Sequence, residues 1–340
     1  MKSQQGFDSP AGYKKRKNEM KRTDGIFRFM VLLAAGLLAG CSGDDTSDAG
    51  TEATEIRFNA DVWRVMEGSR ATTYDNAAAL QSEGSFTCSA YVAEGTTPYI
   101  SSSPVAWNTD KWEFADGKHY WPMEGSLDFF AYMPATLPNY LSVNYSTARS
   151  PQVTCTNLPM TYDSENPTAG QGSSMKEFVY ALQTNQSKAS QGASGVTLTF
   201  KHPFARIYFQ LAASHPDVTI YSITFKDVKT GGTCSFNGTA STWTPSDATA
   251  DFTMNLNDGV AFNSNPATPS PIGGPFLMVP QTFDGDIVVR AGWIDWGEVL
   301  PHNVSTTVST TWEPGYSYTY TFTITESDLI VNTTKFTEQW

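Results

Sequence analysis

Two residues of this chain sit in contexts that invite covalent chemistry. Leu38-Ala39-Gly40-Cys41 places one apolar and two small residues before a cysteine, the pattern that suits a signal peptidase cutting in front of a thioether-lipidated thiol. Cys41 is therefore expected to be the acylated first residue of an exported protein, with palmitate among its chains. In Gly68-Ser69-Arg70-Ala71-Thr72 a single arginine stands among small residues, which makes the local chain accessible to a trypsin-like protease cutting between Arg70 and Ala71. Arg64 is a rival, but it lies nearer an apolar stretch and should be less accessible.

Other reactive side chains are not arranged for catalysis. His119, His202, His215 and His302 are scattered, with no H-E-x-x-H and no neighbouring cysteine cluster, so neither a metal nor another cofactor is expected. There is no phosphate-binding glycine loop, dinucleotide fingerprint or nucleophile elbow. Asp128 and Glu113 would act as a glycosidase pair only if the fold set them across a cleft. No catalytic residue is assigned and no enzyme is expected. Cys88, Cys155 and Cys234 are left once Cys41 is lipidated; their strand settings favour buried thiols over one disulfide with a thiol to spare.

The targeting elements come first in the chain. Residues 1–40 read as a signal peptide: a basic run, then Phe27 to Leu38 as an apolar core too short to span a membrane. Met20 is a plausible true start. Residues 41–54 form a polar tether. Against 22 Lys and Arg the chain has 34 Asp and Glu, a net charge of −12, and eight of the basic residues but only three of the acidic ones precede Cys41. The exported part is thus more acidic still, which argues against a nucleic-acid partner.

Immediately before Arg70, Ile56, Phe58, Ala60 and Val62 alternate with Arg57, Asn59, Asp61 and Trp63, the period of a half-buried strand. Cleavage at Arg70 would separate this strand from whatever sheet it joins. From Phe86 onward short apolar runs alternate with turns and with the prolines Pro122 and Pro134, which predicts an all-β, sandwich-type architecture. Ser187 to Gly195 interrupts the pattern, so the chain divides into an N-terminal sandwich at 55–190 and a C-terminal one at 191–340, the latter restarting with Val196, Leu198 and Phe200. Near the end, Tyr316, Tyr318, Tyr320, Phe322 and Ile324 share one face of a strand of roughly 30 Å. A final run carries Leu329, Val331 and Phe336.

Several of these runs, taken in order, resemble the fimbrillin family. They are His119-Tyr120-Trp121-Pro122 with Leu127 to Pro134, Phe200 to Ile207 around His202-Pro203, and Val279-Pro280-Gln281-Thr282. Trp312-Glu313-Pro314-Gly315 with Tyr316 to Phe322 and the terminal Trp340 completes the set. The acids after Cys41, Asp44 and Asp45, likewise resemble a surface-export signal of Bacteroidota-type bacteria. The resemblance implies a type V pilin: a lipoprotein precursor of the cell outer membrane with two tandem transthyretin-like β-sandwich domains, cut by an arginine-specific protease. The strand bearing Ile56, Phe58, Ala60 and Val62 would be lost. A neighbouring fimbrial subunit would fill the groove with its own strand, for which Leu329, Val331 and Phe336 are the donor residues expected here. The alternative is a surface lipoprotein that binds a partner or a glycan and never polymerises.

Overall fold

The computed structural model describes residues 53–63, 74–144, 150–192, 194–215, 217–237, 240–263, 268–295 and 298–336. Cys41, Arg64, Arg70, Ala71 and Trp340 lie outside the described residues. All that is described belongs to one unit, Glu52–Trp340, and it is all-β apart from two short helices, Ala77–Glu83 and Lys188–Gln191.

The strands make four sheets. A seven-stranded sheet runs in the order Val196–Phe200, Phe58–Val62, Lys111–Phe114, Pro98–Asn108, Ser85–Val92, Leu127–Met133, Val179–Gln186. It curls until its two ends meet, where Tyr180 and Lys201 exchange both backbone hydrogen bonds at 3.0 and 2.8 Å. Its concave side is filled by Phe58, Phe86, Phe129, Trp112, Leu198 and Phe200, all buried. Closing the ring in this way pairs strand edges that would otherwise face water.

In the C-terminal half, a four-stranded sheet (Ser270–Met278, Ala205–His215, Ser317–Thr325, Leu329–Lys335) faces a five-stranded one. The five-stranded sheet runs Glu298–Thr311, Thr282–Asp295, Val218–Lys229, Thr249–Phe262, Thr161–Asp163. Between them lie Phe209, Tyr320 and Phe322 from the first and Phe225, Phe252 and Ile287 from the second. A further small sheet (Ala240–Pro245, Gly232–Asn237, Gln152–Cys155, Leu141–Asn144) takes strands from both halves of the sequence. It covers a third core containing Phe130, Tyr180, Phe204 and Phe236.

Two expectations need correction. Val196–Phe200, taken as the start of the second sandwich, instead pairs in parallel with Phe58–Val62. Its alternation reports one buried face but not which sheet supplies that face. The interruption before it is a helical turn whose Ser187 caps the Ser190 amide, and the chain, having already lent Leu141–Asn144, Gln152–Cys155 and Thr161–Asp163 to other sheets, leaves the seven-stranded sheet for the last time at residues 201–204. The run His119-Tyr120-Trp121, which its place among the short apolar runs stopped by a proline predicts as a strand, forms none of its own; Tyr120 makes a single bridge with Glu55.

Candidate functional site

The strand expected to be removable is an interior strand of the closed ring. Ile56, Phe58 and Val62 are buried, Ala60 is half-buried, and Arg57, Asn59 and Asp61 face solvent. One side is fully paired, in parallel register from Phe58 opposite Val196 to Val62 opposite Phe200. The other side is sparse: Phe58 opposite Trp112, then the Glu55–Tyr120 bridge and the Ile56 amide donating to the His119 carbonyl at 2.8 Å. Phe58 is the hub, with ring centroids 5.9 Å from Phe86, 5.3 Å from Phe114 and 5.8 Å from Phe129. At about 1.5–3 kcal/mol for each large side chain, Ile56, Phe58 and Val62 together stabilise the ring by roughly 5–8 kcal/mol, which is comparable to the stability of a whole domain. At the strand's end Trp63 is exposed beneath the Lys201 ammonium, 4.9 Å from the ring centroid.

Downstream of the processing region, Tyr74 has no solvent exposure. Burial, and then the neighbouring Glu83, push the Tyr74 phenol far above its ordinary pKa. Asp75 pairs with Arg206 at 2.6 Å, Arg206 reaches Glu177 at 3.2 Å, and His202 Nδ1 stands 3.0 Å from the other oxygen of Glu177. The side chains of Glu177, His202 and Arg206 are almost wholly inaccessible. Next, Asn76 accepts from the Ala79 amide and starts the helix Ala77–Glu83, Leu80 packs inward, and Gly84 closes the helix at φ 83°. Glu83 meets Lys176 at 2.6 Å. The sequence suggests that His202, in the Phe200 to Ile207 run, is a packed or strand-end residue, and it is buried just past the strand Val196–Phe200. The reading misses Asp75, Glu177 and Arg206. The available signal was a charged residue, Arg206, interrupting the apolar Phe204-Ala205-x-Ile207.

At the other end, Leu329–Lys335 forms the edge of the four-stranded sheet and pairs antiparallel with Ser317–Thr325, from Ile324 opposite Leu329 to Tyr318 opposite Lys335. Leu329 is buried and Val331 packs on the core, so these two share the inner face. Phe336 has the opposite parity, lies beyond the strand and is 42% exposed. The structure therefore groups Leu329 with Val331 and not with Phe336. The Phe336 amide donates to the Ser317 carbonyl at 2.9 Å. Lys335 pairs with Glu313 at 2.5 Å and covers the Tyr316 ring at 3.8 Å from its centroid.

Cys88, Cys155 and Cys234 are buried free thiols; burial pushes all three up, Cys155 to about 12, which leaves them as unreactive neutral thiols at neutral pH. Among the described residues no three His, Cys, Asp or Glu side chains could hold a metal ion together.

The family model for fimbrillin-like proteins matches residues 69–340. This chain belongs to the fimbrillin-like family. A fimbrial protein from Bacteroides vulgatus shares the fold at a TM-score of 0.61 and 13% identity, covering 84% of this chain and 99% of that one. A cell adhesion protein from Bacteroides ovatus aligns at a TM-score of 0.48 and 16% identity over 85% and 98% of the two chains. The C-terminally truncated tip fimbrial protein of Porphyromonas gingivalis aligns at 0.40 and 9% identity over 84% and 100%. No curated protein matches the chain. Membership gives this fimbrillin-like chain a fimbrial or adhesion role at the cell surface, structural rather than enzymatic, in association with other fimbrial subunits.

Proposed function

We propose that this fimbrillin-like protein is a fimbrial subunit assembled by protease-triggered strand exchange. It is exported as a lipoprotein through Cys41, held at the cell outer membrane by its acyl chains, and cut by an arginine-specific protease between Arg70 and Ala71. The strand bearing Ile56, Phe58, Ala60 and Val62 then leaves, and a strand from a neighbouring subunit replaces it. Leu329 and Val331 head the donor strand, with Phe336 at its far end. The two halves act as tandem transthyretin-like sandwiches, with their changeover at residues 201–204.

The observation that carries this reading is the interior position of Phe58–Val62 between two other strands of a closed ring. Its loss uncovers an apolar groove and two strand edges at once, and both are costly in water. A donated strand repairs both through main-chain hydrogen bonds, with alternate side chains in the pockets of Ile56, Phe58 and Val62. Because donor and acceptor surfaces differ, the contact repeats without closing and builds a filament.

The test is N-terminal sequencing of the protein in sheared surface filaments. A start at Ala71 is expected. A start at Cys41 in polymerised protein would overturn the proposal.

A further inference from the structure

The ion cluster that begins at Asp75 is not among the residues lining the groove of the first strand, and the side chains of Glu177, His202 and Arg206 in it are almost wholly buried. It brings together residues far apart in sequence: Asp75 just downstream of the processing region, Glu177 from the N-terminal half, and His202 and Arg206 from the passage into the C-terminal half. Charges removed from water are tolerated only when paired and hydrogen-bonded, so each member here holds the others in place. Asp75 is the member nearest solvent, its side chain keeping 13% exposure while that of Arg206 keeps 1%. Around it, Tyr74 is buried against Glu83, and Glu83 is tied to Lys176 next to Glu177.

We propose that Asp75, Glu177, His202 and Arg206 form a retaining latch, with Arg206 as its positioning residue. The latch fastens the chain from Tyr74 onward to the C-terminal half when the strand upstream is cut away. It rests on the reading that the chain is processed between the first strand and Tyr74. Before processing, the helix Ala77–Glu83 is held from both sides, by the first strand upstream and by Ser85–Val92 downstream. After processing the upstream hold is gone. A free end would fray toward Phe86, at the floor of the groove. The Asp75–Arg206 pair stops the fraying at Tyr74, so the opened groove keeps its shape for the incoming strand.

The test measures hydrogen exchange at the Ala79, Leu80 and Gly84 amides, which the helix and its cap hold bonded to Asn76 and Leu80. It is run on the full chain and on the cut chain, for wild type, Asp75→Asn and Asp75→Glu. Asp75→Asn leaves Arg206 paired with Glu177, so the fold is retained. In wild type, cutting should change exchange by less than about twofold. In Asp75→Asn, cutting should accelerate it by about tenfold or more, the loss of one charge-assisted hydrogen bond, while the uncut variant stays near wild type. Asp75→Glu should restore protection. Equal exchange in cut wild type and cut Asp75→Asn would overturn the latch.

A second set of chains carries a site-specific protease sequence in place of residues 66–71 and receives the cut whether or not a trypsin-like enzyme accepts Arg70. Refusal at Arg70 with the Asp75→Asn effect intact in this set would refute the processing site alone. Loss of the effect in this set would refute the latch alone.

Discussion

The first and last strands look alike as sequence, each a short alternation of apolar and polar residues, but the fold uses them in opposite ways. Phe58–Val62 lies inside a closed ring, with strands on both sides and an aromatic hub around Phe58. Leu329–Lys335 lies on an edge, with a ladder on one side only and two inward apolar residues, Leu329 and Val331. An interior strand defines a hole when it leaves. An edge strand leaves behind an intact sheet. The same periodicity can thus specify a socket or a detachable part, and the number of partnered sides decides which.

The largest expected effect breaks the comparison at its centre. Phe58→Ala should destabilise the uncut protein by about 3–5 kcal/mol, the range for a buried phenylalanine, in chemical denaturation. The same substitution should have no effect on processed protein, which no longer contains residue 58. Destabilisation that persists after processing would mean the strand never leaves.

A chain ending at Thr325 should lose roughly 2–4 kcal/mol, from burial of Leu329 and part of Val331, yet fold and be processed. It should remain monomeric in sedimentation. Collapse of the C-terminal half would make the last strand a core element, and polymer at normal yield would exclude exchange through this tail.

Smaller still, Phe336→Ala should alter stability by less than about 0.5 kcal/mol, as at other exposed sites, because this ring lies off the inner face. If filament yield nevertheless falls, Phe336 acts only after exchange, in the neighbouring subunit.

The smallest effect concerns the thiols. Cys155 is pushed from 9.0 to about 12 by burial, so an unfolded chain loses that proton at lower pH than the folded one. The thiol's contribution is fully present below pH 9 and declines as pH rises toward 12. At pH 8, alkylation of Cys88, Cys155 and Cys234 should be undetectable in folded protein and complete in denaturant; labelling of folded protein would refute their burial.

The all-β class and the buried side of the regularly alternating strands were legible because alternation reports burial directly. Ile56, Phe58 and Val62, and Tyr318, Tyr320, Phe322 and Ile324, all face inward as their spacing predicts. Strand partnership was not legible. Val196, Leu198 and Phe200 alternate equally well for either half, and only the parallel pairing with Phe58–Val62 assigns them. Hydrophobicity alone groups Phe336 with Leu329 and Val331, whereas its odd spacing gives it the opposite parity, beyond the end of the strand. The buried ion cluster left only the trace of Arg206 among apolar neighbours, since ion pairing between distant residues has no period.

The pairing directions also govern how the molecule responds to tension. Ser317 and Phe336 are neighbours at the open end of the final hairpin. A pull on the tail against the start of the preceding strand would peel that hairpin bond by bond, at low force. In the ring, a strand lying parallel to Val196–Phe200 and drawn along its own axis would load all its hydrogen bonds together, in shear. A filament whose subunits give up the first kind of contact to gain the second would be easy to build and hard to pull apart.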